Sequence, residues 1–129
     1  MKTNRKILLA LIVGALLGVA GATWMHAAQA KALPGYVVAE VDVHDATMFQ
    51  EYGSKVAGTL TPYGGHYLVR GGKSEAIEGE GPKRFVVIQF DSFEKAKAWE
   101  DSPEYGAIKG IRHKSATSRV FIIEGAPAQ

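Results

Sequence analysis

Two runs in the second half of the chain are apolar at successive positions: Phe85-Val86-Val87-Ile88, continued by Phe90, and Val120-Phe121-Ile122-Ile123. Each has the length of a strand. Neighbouring side chains in a strand point to opposite faces, so a strand that is apolar at every position has two apolar faces. A sheet built from such strands needs cover on both sides. Helices of the same chain can cover one side. The economical cover for the other is a second copy, because most soluble oligomers are symmetric dimers. These runs therefore predict an α+β domain that forms a homodimer, the two sheets facing each other around a cavity.

The remaining elements follow from local signals. Tyr36 to Val43 alternates Val37, Ala39, Val41 and Val43 with Tyr36, Val38, Glu40 and Asp42, a strand pattern. Asp45 is placed to cap a helix that runs to about Leu60, with Phe49, Tyr52, Val56 and Leu60 on its apolar face. Pro62, Gly64 and Gly65 end it. A short strand, His66 to Arg70, then lies between two glycine pairs. Simple alternation puts His66 and Arg70 on the same side of that strand. A polar connection, Gly71 to Pro82, leads into the strand Arg84 to Phe90 as an antiparallel partner. Ser92 caps a short helix with Phe93, Ala96 and Trp99, and Ser102-Pro103-Glu104 starts another. Tyr105, Ile108 and Arg112 share a face of that last helix. Thr117 to Glu124 is the final strand. The order strand, helix, strand, strand, helix, strand is that of a ferredoxin-like β-α-β-β-α-β sandwich.

Residues 1–30 read as a signal peptide. Lys2, Arg5 and Lys6 precede an apolar stretch from Ile7 to Ala22, and Ala28-Gln29-Ala30 has the small-x-small pattern of a cleavage site. Cleavage is predicted after Ala30, leaving residues 31–129 as one domain, periplasmic or secreted. The competing reading is an uncleaved membrane anchor. Three of the fifteen basic residues lie in this segment, leaving twelve against thirteen acidic ones, so no basic surface argues for nucleic acid. There are no cysteines, and the domain must be held by core packing alone.

Residues 35 to 125 resemble the domain-of-unknown-function 1330 family. The resemblance is carried by Tyr36-Val37-Val38-Ala39-Glu40-Val41, Tyr52, Gly64-Gly65, Val69-Arg70-Gly71-Gly72, Glu78-Gly79 and Arg84. It continues through Ala98-Trp99, Ser102-Pro103-Glu104-Tyr105, Arg112 and Glu124-Gly125. It implies the dimeric α+β barrel fold and supplies no reaction.

Candidate site residues are Arg70 and Arg112 as anion-binding groups, His66 as acid, base or hydrogen-bond partner, and Glu40 meeting Arg70 or Gln89 across the barrel. Trp99 and Tyr105 are candidates for ligand contact, against a plainer role in packing. The plainer reading for Arg84 is an ion pair with Glu78 that fixes the glycine-rich turn. The scattered His44, His66 and His113 form no metal-binding pattern, and no cofactor motif is present. The expected function is binding of a small anionic or carbonyl-bearing molecule in a barrel cavity. Two alternatives are a cofactor-free monooxygenase- or isomerase-like enzyme, with His66 or Glu40 moving protons, and a non-catalytic dimeric interaction module.

Overall fold

A computed structural model describes residues 31–129, and the predicted signal peptide lies outside the described residues. The strands are β1 (Gly35–Val43), β2 (His66–Arg70), β3 (Arg84–Phe90) and β4 (Ala116–Glu124); the helices are α1 (Ala46–Leu60), α2 (Phe93–Glu100) and α3 (Pro103–Ser115). The strands form one antiparallel sheet in the order β2-β3-β1-β4. The arrangement is α+β and ferredoxin-like, as the element order predicts.

The helix starts are fixed locally. Asp45 accepts from the Met48 N–H (3.0 Å), Ser92 from Lys95 (3.1 Å) and Ser102 from Tyr105 (3.2 Å). Each satisfies a donor that the first helical turn leaves unpaired. Pro103 adds a preset backbone at the first position of α3. The core lies between the helices and one sheet face. Val37, Ile88 and Phe90 from the sheet meet Tyr52, Val56 and Leu60 of α1, Trp99 of α2, and Tyr105 and Ile108 of α3.

β2 departs from simple alternation. His66 pairs with Gln89 and Tyr67 with Ile88, but Val69 pairs with Val87 and Arg70 with Val86. Five residues face four, and Leu68 is the extra one, a β-bulge. Both ends of the strand are pinned. A Cβ on Gly65 would stand 2.5 Å from the Phe90 ring, so only glycine lets the chain approach there. At the other end the Gly71 N–H donates to the Phe85 carbonyl (2.8 Å), from a backbone with φ of +68°. The surplus residue between these anchors has to bulge. As a consequence His66 and Arg70 do not share a face: His66 goes with Gln89 to the side away from the helices, and Arg70 goes with Val86 toward them.

That outer side carries Tyr36, Val38, Glu40, Phe85, Val87, Phe121 and Ile123, as the pairing registers require. Phe121 and Ile123 are 41% and 51% exposed. The face is therefore apolar along its middle and open in the single chain.

Candidate functional site

A cavity of about 50 Å³ lies on the helix side of the sheet, within one chain. Its floor is Val37, Ala39 and Val41 of β1, Val86 and Ile88 of β3, and Val120 of β4. α1 contributes Phe49, Tyr52, Gly53 and Val56, while Trp99, Tyr105 and Arg112 close it from α2 and α3. Tyr67, Arg70 and Arg84 complete the lining from β2 and β3. Four of the six candidate residues, Arg70, Arg112, Trp99 and Tyr105, therefore come together. His66 and Glu40 do not. His66 is exposed on the outer face, and Glu40, also on that face, accepts from Arg119 Nε at 2.8 Å rather than meeting Arg70 or Gln89.

The polar side chains of the lining are all donors. The Tyr52 and Tyr105 hydroxyls share a buried hydrogen bond of 2.8 Å. Burial, reinforced by the neighbouring Tyr105, pushes the Tyr52 phenol far above its ordinary value; Arg112 opposes this only in part. Tyr67 is also shifted upward, again chiefly by burial, with Arg70 and Arg84 pulling the other way. Both remain protonated at neutral pH. The Tyr67 hydroxyl makes no hydrogen bond among the described residues, which leaves it available to a ligand.

Three arginines converge on the same space. Arg112 is 7% exposed, donates to Ser118 Oγ at 2.9 Å, and has a buried Nε with no partner. Burial alone would lower its pKa, but Tyr105, Tyr52 and Glu100 together outweigh that and hold it raised. Glu100 itself is taken by Lys109 at 2.7 Å. Arg70 donates to the Gly53 carbonyl at 2.9 Å and lies 4.4 Å over the Tyr67 ring. Arg84 lies 5.5 Å from the Phe49 ring centre, with its Nε buried and unpartnered. Among the described residues no carboxylate forms an ion pair with any of the three, so the expected Glu78–Arg84 pair is absent. Arg112 is buried, Arg84 half-buried and Arg70 exposed; a buried charge without a carboxylate is costly, and a cavity lined by three cations is complementary to an anion.

Trp99 fixes the inner wall. It is 1% exposed, stacks 4.0 Å from Tyr105 centre to centre, and donates its indole N–H to Thr59 Oγ1 at 3.0 Å. Its position on α2 and that of Tyr105 on α3 follow from the caps at Ser92 and Ser102. Sequence reasoning missed Tyr67 and assigned Tyr52 only to packing. Tyr67 lies before the bulge and alternates with His66, so its inward position follows from its pairing with Ile88.

One pH dependence follows from Tyr52. A phenol whose folded pKa is raised stabilises the fold fully below the unfolded value of 10.0 and loses that contribution as pH climbs above it. The melting temperature is therefore expected to fall from pH 9 to pH 11. Tyr52→Phe should flatten that fall in calorimetry. A variant with the wild-type alkaline slope would place the titration elsewhere.

Residues 34–126, nearly all of the described domain, match one family model, the domain of unknown function DUF1330. The chain belongs to the DUF1330 family. No functionally curated protein matches it. Among solved structures it is similar to a protein of unknown function from Rhodopseudomonas palustris, with TM-score 0.61 and 15% identity, covering 84% of this chain and 94% of that one. It is also similar to SnoaB, a cofactor-independent oxygenase from Streptomyces nogalater: TM-score 0.53, 14% identity, 75% and 97% covered. A hypothetical Arabidopsis thaliana protein gives TM-score 0.55 at 16% identity, over 78% and 95%. At these identities the likeness is one of fold. SnoaB and proteins of unknown function share the architecture of this DUF1330 domain.

Proposed function

We propose that this DUF1330 protein is an exported protein that binds a small anionic or carbonyl-bearing molecule in the cavity between its sheet and helices. The observation that carries the reading is the lining: three arginines and protonated tyrosines, with no carboxylate among them. Such a set offers hydrogen bonds and positive charge to an acceptor and no negative charge to a cation. The apolar floor would hold the body of the ligand. A thermal-shift series with benzoate, hexanoate and 2-oxobutanoate tests it. At least one of these should raise the melting temperature in proportion to the logarithm of its concentration. No shift with any of the three sinks the reading.

The fold likeness to SnoaB favours a second reading, a cofactor-independent oxygenase. A reaction that begins by removing a proton needs a base beside the substrate. The cavity lining contains neither an imidazole nor a carboxylate, and His66 and Glu40 stand on the other sheet face. Binding is therefore the better-supported reading. Oxygen uptake by the purified protein in the presence of a bound ligand would reverse that order.

The outer sheet face supports pairing with a second copy. Phe121 and Ile123 lie on it beside Tyr36, Val38, Phe85 and Val87, and leaving this surface in water is unfavourable. Ile123→Asp puts a charge into that contact and should convert a dimer to a monomer in light scattering. A monomeric wild type would remove this part of the proposal and leave the cavity untouched.

A further inference from the structure

The inner cavity does not end at Arg70 and Arg84. A second, outer groove of about 420 Å³ runs along the start of α1, lined by Val43, Ala46, Gln50 and Ser54. The two spaces share four residues: Phe49, Gly53, Arg70 and Arg84. These four frame the passage between them. Arg70 is tied across it to the Gly53 carbonyl, and Arg84 lies against the Phe49 ring. Neither arginine is neutralised by an ion pair among the described residues.

Gly53 is the distinctive member. It sits in the interior of α1, where glycine is a poor choice for helix stability. Its φ is not positive, so the backbone would accept any ordinary residue. A Cβ at this position meets no heavy atom within 4 Å. Gly53 lines both the cavity and the groove, so a larger side chain there would narrow the room they share. We propose that Gly53 is the doorway to the inner cavity, kept open by the missing side chain, and that Arg70 and Arg84 make it selective for small anions. This rests on the reading that the inner cavity binds an anion, and it adds the route and the residue that controls access. Two unneutralised guanidinium groups at a narrow apolar mouth concentrate anions there and repel cations.

Quenching of Trp99 fluorescence tests the doorway without needing the natural ligand. Trp99 lines the inner cavity, and with Trp24→Phe as background it is the only tryptophan. Iodide and caesium serve as probes at equal ionic strength. Iodide should quench Trp99 about tenfold more strongly than caesium. Gly53→Leu should bring iodide quenching down to the caesium level, with an unchanged far-ultraviolet circular dichroism spectrum. Gly53→Ala is the milder plug: reduced quenching together with a melting temperature about 4 °C higher, from the better helix former. It also keeps the test open if the leucine variant does not fold. Equal quenching by the two ions, or iodide quenching unaffected by either substitution, overturns the doorway. Carboxylate binding that persists in that case leaves the binding reading intact. Selective iodide quenching without carboxylate binding does the reverse.

Discussion

Arg112→Met is expected to abolish carboxylate binding while leaving the melting temperature unchanged or higher. The two halves of that result come from one fact. Arg112 is buried, held charged, and bonded to Ser118 but to no carboxylate. A buried charge with incomplete compensation costs several kcal/mol of desolvation, and an apolar residue of similar volume removes that cost. In a complex, the same guanidinium meets the ligand's negative charge, and truncating one side of a buried charged pair costs about 2–5 kcal/mol. That corresponds to roughly a 30- to 4,000-fold loss of affinity. Isothermal titration with the best carboxylate, paired with thermal melts of both proteins, reads both quantities. Unchanged affinity would take Arg112 out of the site. A melting temperature lower by many degrees would show instead that the arginine is there to hold α3 on β4 through Ser118.

The second large effect is on stability. Trp99→Ala is expected to remove about 3–5 kcal/mol, a large part of the 5–15 kcal/mol that holds a domain of this size. Trp99 is among the largest fully buried side chains of the described domain and contacts Phe90 and Tyr105. Its loss leaves a hole that helices capped at fixed points cannot close. It also strands the Thr59 hydroxyl, although that group still donates to the Val56 carbonyl at 2.7 Å. Urea denaturation followed by circular dichroism should show the midpoint falling by more than half, or no folded baseline. Trp99→Phe keeps most of the volume and should cost much less. Similar losses in both variants would assign the stability to the indole hydrogen bond rather than to packing.

The two variants divide the site into a part that stabilises the fold and a part that works against it. Trp99 and the tyrosine pair are bonded to their surroundings in the chain itself. Arg112 and Arg84 each keep a buried nitrogen with no partner. Incompletely satisfied polar groups in a packed domain are where a binding function is expected to sit.

What the sequence alone determined was whatever depends on near neighbours. Aspartate or serine caps, alternation along β1 and the helical spacing of Tyr105, Ile108 and Arg112 are all set within a few residues. They gave the element order, the antiparallel sheet and the residues of one wall of the cavity. The sequence also showed that both faces of β3 and β4 are apolar. The tertiary structure decided the rest. Alternation within β2 put Arg70 beside His66, but the bulge at Leu68 turns Arg70 to the helices and leaves His66 outside. That bulge exists because Gly65 is pinned on Phe90 and Gly71 on Phe85, contacts made across the sheet. Tyr52 meets Tyr105 across 53 positions of chain, and no local pattern registers such a meeting. Arg84 faces the cavity because it stands opposite Val41 in the β1–β3 register. Local geometry is written residue by residue; which donors end up around one cavity depends on register and packing between distant segments, and those are fixed only when the whole sheet and its helices are in place.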